Sequence, residues 1–278
     1  MLFFQLISKL PLRILYIFSD FLYLTVRYVI RYRIKVIDEN LLHAFPEKSD
    51  RERKIIRNRF YRNFTDSIAE MIKSISISEE ELSKRFIITN QEILDREVQN
   101  GKSVLLLAGH FFNWELGVQR AALLSKVPSE GIYLKINNQF FNKLMYQIRT
   151  RFGNRITEKQ EFRETMKTLN QEHRIVQLAA DQRPGNRTNR YQREFLNRPA
   201  FFFEGAENIA KSMDLPVYFG EITKQGRGKY RAVYELVTKG PYDAHQEHSI
   251  TDAFCKRLEE NIRLQPDLYL WSHKRWKF

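Results

Sequence analysis

The 278 residues contain a single cysteine, Cys255, so no disulfide can form within the chain and a reducing compartment is the expected setting. Phe254, Cys255, Leu258 and Ile262 recur at helical spacing, which places the thiol on a helix face rather than in a reactive role. There is no Gly-x-Ser-x-Gly elbow, which removes the signature of a serine hydrolase, and no Walker or dinucleotide glycine pattern, which removes the usual nucleotide cradles. No Gly/Ser/Pro-rich linker, internal repeat or low-complexity segment marks a boundary, so one main domain is expected. The basic start and small-residue cleavage site of a signal peptide are also missing, and the globular part is expected on the cytoplasmic side.

Acidic residues are outnumbered. Lys and Arg total 46 against 33 Asp and Glu, a formal charge of +13 that points to an anionic partner such as nucleic acid, acidic headgroups, a phosphorylated substrate or an acidic carrier protein. From Pro11 to Lys35 the sequence is rich in Leu, Ile, Phe, Tyr and Val. Lys9, Arg13, Asp20, Arg27, Arg31 and Lys35 recur at intervals of four or seven, which gathers them on one helical stripe. The uncharged runs in this stretch, Ile14 to Ser19 and Phe21 to Val26, fall far short of the roughly 20 residues that span a bilayer. The spacing predicts an interfacial helix with its cationic stripe towards headgroups and Tyr16, Tyr23 and Tyr28 near the boundary, the alternative being a helix packed on the protein's own core.

Further along, Ser49 to Lys73 has helical periodicity with a capping box at Ser49 and Glu52. A short helix follows at Ser78 to Phe86 and a short strand at Ile87 to Thr89. Apolar runs at Ser103 to Ala108, Gly131 to Leu134, Ile175 to Ala180, Pro216 to Ile222 and Tyr230 to Val237 read as strands. Helical patterns at 113–124, 139–152, 161–170 and 205–213 separate most of them, and Thr251 to Leu264 forms a last amphipathic helix. Such alternation predicts an α/β fold: a mostly parallel central sheet with helices on both faces.

The segment Gly109-His110-Phe111-Phe112-Asn113-Trp114-Glu115 follows the first of the long strands, so His110 falls at a strand's carboxyl end, where α/β proteins tend to place their chemistry. Imidazole titrates near neutrality, and a carboxylate can fix its tautomer and stabilise the imidazolium. His110 with Glu115 therefore suits proton abstraction from an alcohol, the competing reading being a structural histidine. The helix opening here offers amides that favour an oxyanion. After another strand comes Asp181-Gln182-Arg183-Pro184-Gly185-Asn186-Arg187, continuing to Arg190 and Arg193. Asp181 lies on the same sheet edge as His110, as a second carboxylate or a structural hydrogen-bonder, and the arginines form a candidate phosphate or carboxylate clamp. Arg149 and Arg151 end a helix, where cations also complement the helix dipole. The aromatic run from Phe195 to Phe203 is a candidate acyl slot or simply core. The tail Tyr269 to Phe278, where tryptophans interleave with cations, fits a membrane interface or a stacked nucleic acid. His245 and His248 enclose only two residues in a polar stretch and read as a surface loop, not a metal site.

Taken together these segments resemble the late acyltransferases of lipid A biosynthesis, the Kdo2-lipid A lauroyl/myristoyl transferase family within the wider lysophospholipid acyltransferase group. The resemblance rests on ordered blocks: Asn40-Leu41 through Phe45-Pro46-Glu47 with Arg51-Glu52-Arg53, the Gly-His-Phe-Phe-Asn-Trp-Glu segment, Ala180-Asp181-Gln182, Phe195-Leu196-Asn197, and Leu270 to Lys277. It implies an amino-terminal membrane anchor over 1–36, an acyltransferase domain over 37–278, and no metal or cofactor. It also implies that His110 deprotonates a hydroxyl while Glu115 orients the ring, with Asn113, Lys135, Arg149, Arg151, Asp181, Gln182, Arg183 and Arg187 contacting substrate. The donor would be an acyl-acyl carrier protein, the acceptor an anionic lipid A precursor, and the location the cytoplasmic face of the inner membrane, with no nucleic acid as partner. Where the family often has Tyr-Arg-Pro this chain has Tyr133-Leu134-Lys135, so Lys135 stands in for the arginine, and Ala200 replaces a frequent threonine. A lysophospholipid or aminolipid acceptor, a thioesterase that activates water, and a non-enzymatic polyanion-binding protein are the alternatives.

Overall fold

A computed structural model of the chain describes residues 2–169, 171–185, 190–243 and 246–276. Its strands are β1 (Phe86–Ile88), β2 (Val104–Ala108), β3 (Ser129–Tyr133), β4 (Arg155–Glu158), β5 (Ile175–Ala179), β6 (Arg190–Phe195), β7 (Arg198–Phe203), β8 (Val217–Gly226) and β9 (Lys229–Thr238). The main sheet has the order β1-β9-β8-β2-β5-β3-β4. Neighbours run parallel except β8 and β9, which form a hairpin whose turn carries Gly228 at φ +67°. The uncharged runs predicted as strands supply the middle: four of the five residues of β2 are buried, as expected for a strand covered on both faces. The predicted α/β architecture is therefore present. β4, β6 and β7 lie outside the predicted strands. β6 and β7 form a separate antiparallel pair, turning through Leu196 and Asn197 at φ +51° and +62°.

The helices are α1 (Leu2–Ser8), α2 (Leu12–Leu24), α3 (Ile34–Ala44), α4 (Asp50–Ser74), α5 (Glu79–Arg85), α6 (Glu92–Gln99), α7 (Trp114–Leu124), α8 (Gln139–Thr150), α9 (Phe162–Lys167), α10 (Gly205–Ser212) and α11 (Ser249–Leu264). The predicted capping box closes α4: the Ser49 hydroxyl accepts from the Glu52 amide, and the Glu52 carboxylate accepts from the Ser49 amide at 2.8 Å. Cys255 lies fully buried on α11, and burial pushes its thiol well above the ordinary range, consistent with an inert packing residue.

The amino-terminal segment departs from its expectation. Instead of one helix to Lys35, α2 runs into a π-helical turn at Thr25–Val29, and the chain breaks at Arg31 and Arg33, both left-handed. Tertiary bonds hold the break: the Tyr61 hydroxyl donates to the Tyr32 carbonyl at 2.7 Å, and the Arg33 guanidinium to the Ser272 carbonyl at 2.8 Å. Nor does the charged stripe face outward as a unit. Arg27 is buried on Asn58, and Asp20 is paired with Arg227, because α2 lays Leu12, Leu15, Ser19 and Tyr23 against the body, chiefly α4. Tyr16 and Tyr23 are likewise turned inward, whereas Tyr28 stays exposed. What faces out is apolar: Ile17, Phe18, Phe21 and Leu24 are each more than half exposed.

The carboxyl-terminal tail is corrected too. Trp271 is fully buried and Trp276 is 6% exposed, so neither is free for a membrane or a base. Asn40 donates to the carbonyls of Trp271 and His273, and the Arg275 guanidinium lies 4.2 Å from the Phe202 ring. The aromatic run is thus largely core, with Phe195 and Phe202 buried against this tail.

Candidate active site

Sheet register brings the central pair together. Ala108 of β2 and Ala179 of β5 are direct partners on adjacent parallel strands, and the Ala180 amide donates to the Ala108 carbonyl at 3.1 Å. His110 and Asp181 each lie two residues beyond those partners, so they leave the sheet side by side at its carboxyl edge. The His110 Nδ1 is 2.6 Å from Asp181 Oδ1. The loop carrying the histidine is fixed from below by the tail, since the Leu270 amide donates to the His110 carbonyl and the Phe112 amide to the Leu268 carbonyl. Gly109 is required by close packing: a Cβ there would meet Leu258 at 2.6 Å.

Burial alone would press the imidazole pKa down, but the ionised Asp181, aided by its hydrogen bond and by Glu115, outweighs it and raises the value above 6.5. The same attraction holds the Asp181 carboxyl below its ordinary range although its side chain is only 2% exposed. With Asp181 ionised, the neutral ring keeps its proton on Nδ1 and its lone pair on Nε2. The Gln182 amide nitrogen stands 3.3 Å from Nε2, a place a substrate hydroxyl can take. The His110 side chain is 19% exposed, so the ring is reachable.

Glu115 is not the partner of the ring. Both its oxygens are engaged: Arg149 donates from Nε to Oε2 at 2.9 Å and from Nη2 to Oε1 at 2.5 Å, and the Trp114 indole donates to Oε1 at 3.0 Å. The expectation that Glu115 orients His110 is corrected for a geometric reason. Five positions along the chain carry Glu115 into the first turn of α7, facing α8, while the adjacent strand delivers Asp181 to the ring. Glu115 instead builds a wall, through Trp114, whose ring meets the imidazole edge-on with centroids 5.2 Å apart. Nor is the start of α7 an open anion site, because Asn113 Oδ1 already accepts from the amides of Glu115 and Leu116.

The remaining predicted contacts divide. Gln182 and Arg149 join the site, and Asn113 supports it. Arg151 does not: it donates to the Ser74 carbonyl at 2.9 Å, satisfying the end of α4. Lys135 is exposed and paired with Glu158 at 3.0 Å. Arg183 approaches through its backbone, whose amide donates to His273 Nε2 at 3.4 Å. Arg187 lies outside the described residues, as does His245. Arg190 lies over Phe201 and Arg193 is paired with Asp252. His273 carries no local sequence signal of a role here; burial lowers its pKa to about 4, so it faces the site uncharged. Two open clefts of about 540 and 510 Å³, one bordered by Arg193, Lys256 and Glu259, the other by Arg62, Lys224 and Arg227, lie apart from His110.

Residues 1–278, the whole chain, match the family described as bacterial lipid A biosynthesis acyltransferase. The chain belongs to this family. It is 24% identical over 258 residues to the lipid A biosynthesis lauroyltransferase of Escherichia coli (strain K12), covering 91% of this chain and 82% of that protein. To the lipid A biosynthesis acyltransferase of Haemophilus influenzae it is 23% identical over 251 residues, covering 88% and 78%. A shorter match of 123 residues, 26% identical, reaches the lipid A biosynthesis acyltransferase 2 of Shigella flexneri and covers 44% of this chain and 38% of that protein. The resemblance carried by the sequence blocks is thereby established, and the chain is an acyltransferase of lipid A biosynthesis. Within this lipid A acyltransferase, the His110 and Asp181 pair stands at the carboxyl edge of the central sheet.

Proposed function

We propose that this protein transfers a fatty acyl group from the thioester of an acyl-acyl carrier protein to a hydroxyl of a lipid A precursor, with His110 as general base and Asp181 as its orienting carboxylate. The observation that carries this reading is the 2.6 Å contact between His110 Nδ1 and Asp181, which leaves Nε2 as the basic atom of a side chain that is 19% exposed. The hydroxyl gives its proton to Nε2 as its oxygen attacks the thioester carbonyl. The new C–O bond forms, the C–S bond breaks, and the imidazolium returns the proton to the departing thiolate. Asp181 stabilises the imidazolium in between. No covalent acyl-enzyme is needed, which fits a buried and inert Cys255. A charge of +13 suits both an acidic carrier and a phosphorylated acceptor. Incubating the purified chain with acyl-acyl carrier protein and lipid A precursor should give an acceptor heavier by one acyl group in mass spectrometry. Free fatty acid as the sole product would instead favour the thioesterase reading.

In this reading residues 1–36 attach to the cytoplasmic face of the inner membrane and residues 37–278 carry the chemistry. Among the described residues no single helix is long and apolar enough to cross a membrane, but α1 and the helical stretch from Leu12 to Val29, bent by 112°, together satisfy length and composition. Leu2, Phe3 and Leu6 of α1 are exposed as well. A second element adds to these: Phe4 meets Phe140 with ring centroids 5.7 Å apart, and Phe140, Phe141 and Tyr146 of α8 are exposed, as is Leu134 before it. Exposed Lys9, Arg13 and Lys143 supply cations for acidic headgroups. Replacing Phe18 and Phe21 by Asp should weaken co-sedimentation with phosphatidylglycerol-containing vesicles by about 10-fold or more, since each ring loses its favourable transfer from water. Replacing Phe140 and Phe141 by Asp should weaken it as well, and unchanged sedimentation of both variants would remove the membrane reading.

A further inference from the structure

Glu70, in the last third of α4, is 1% exposed and takes no part in the proton transfer described above. Among the described residues no cation is hydrogen-bonded to it. Three neutral donors converge on it instead: the Tyr16 hydroxyl on Oε1 at 2.8 Å, the Tyr230 hydroxyl on Oε2 at 2.8 Å, and Asn113 Nδ2 on Oε2 at 3.0 Å. Burying a carboxylate is costly, and burial drives its pKa up against the lowering effect of these bonds and of the Lys224 charge. Holding α2 on the body does not require this carboxylate, since Ser19 already bonds Asp66 at 2.7 Å and Arg227 bridges Asp20 and Asp66. The distinctive partner is Asn113. One end of its amide is held by Glu70; the other caps the amides of Glu115 and Leu116 at the start of α7. That turn positions Glu115 on Arg149 and Trp114 edge-on to His110.

We propose that Glu70 is a positioning residue that couples the lipid-facing helix α2 to the active site: through Tyr16 it senses how α2 is seated, and through Asn113 it fixes the first turn of α7 and so the wall beside His110. A continuous run of hydrogen bonds links Tyr16, Glu70, Asn113 and Glu115, so a shift of α2 on the body is passed to Trp114 and Arg149 rather than absorbed. The functional part of this inference rests on the proposed acyl transfer; the structural coupling does not.

The test reverses the polarity of one bond in the full chain. Asn113→Asp keeps a good N-cap but removes the donor and sets a carboxylate against Glu70, and kcat with acyl-acyl carrier protein and lipid A precursor should fall by about 10- to 100-fold with KM for the acceptor little changed. Glu70→Gln alone should cost only a few-fold, on the order of one rearranged hydrogen bond. When Glu70→Gln and Asn113→Asp are combined, the new amide on α4 can donate to the new carboxylate at the start of α7, and kcat should return to near that of Glu70→Gln. A merely additive double variant, or an Asn113→Asp protein with unimpaired kcat, overturns the coupling. Tyr16→Phe, which leaves the ring in place, serves if Asn113→Asp does not fold. It should speed amide hydrogen exchange at Glu115 and Leu116, and unchanged exchange there also overturns the proposal. Exchange is read without substrate, so faster exchange in Tyr16→Phe together with a wild-type chain that transfers no acyl group defeats the proposed function and leaves the coupling standing.

Discussion

His110→Ala should lower kcat for acyl transfer by about 10³- to 10⁴-fold, with little change in acceptor affinity or in the far-ultraviolet circular dichroism. The magnitude follows from the loss of the general base placed at the substrate hydroxyl. Binding of donor and acceptor and their proximity are left intact, and these account for whatever residual rate remains. The fold should survive, because the loop is held by backbone bonds from Leu268 and Leu270 and not by the imidazole. Retention of wild-type rates would assign the general base to another group.

The second large effect is expected at Asp181. Asp181→Asn keeps the shape but replaces an ionised acceptor with an amide, which no longer enforces a proton on Nδ1 or stabilises the imidazolium. A loss of about 10²- to 10⁴-fold in kcat is expected, comparable to that seen when a histidine base loses its carboxylate in other enzymes. Glu115→Gln should affect rate less directly, because Glu115 touches Arg149 and Trp114 and not the ring. Steady-state kinetics of the two variants side by side decides which carboxylate serves the histidine. A greater loss in Glu115→Gln than in Asp181→Asn contradicts the assignment.

The difference between these carboxylates shows what a sequence carries and what it does not. His110 is legible because an uncharged run ends immediately before it and the chain then starts a helix; both features are local. Glu115 attracts attention for the same reason, being close along the chain. The ring's actual partner comes from β5, and the pairing of Ala108 with Ala179 that brings Asp181 alongside is a property of the sheet's order, which no spacing within one strand encodes. The sequence places Asp181 on the correct edge without deciding its role. β4 and β6 are hard to read because Arg155–Glu158 and Arg190–Phe195 are short, charged or polar at most positions and poor in apolar residues. The amino-terminal helix reads correctly as amphipathic but with its faces misassigned. Charges at helical spacing suggest a solvent-facing stripe, yet Arg227 and Asn58 recruit Asp20 and Arg27 inward and leave the phenylalanines outside. Trp271 and Trp276 mislead in the same direction: tryptophan beside lysine and arginine looks interfacial until a buried groove is found to receive it.

The most direct test of a histidine base held by Asp181 is the pH dependence of kcat/KM for acyl transfer, in the wild-type chain and in Asp181→Asn, from about pH 5 to 9. The base works when neutral, and Asp181 favours its charged form, so the wild-type acid limb should be governed by one ionisation above the ordinary imidazole value of 6.5. Without the carboxylate, burial dominates and that limb should move to lower pH while the plateau falls. A wild-type rate that is flat across this range, or an acid limb that stays in place in Asp181→Asn, would contradict the account.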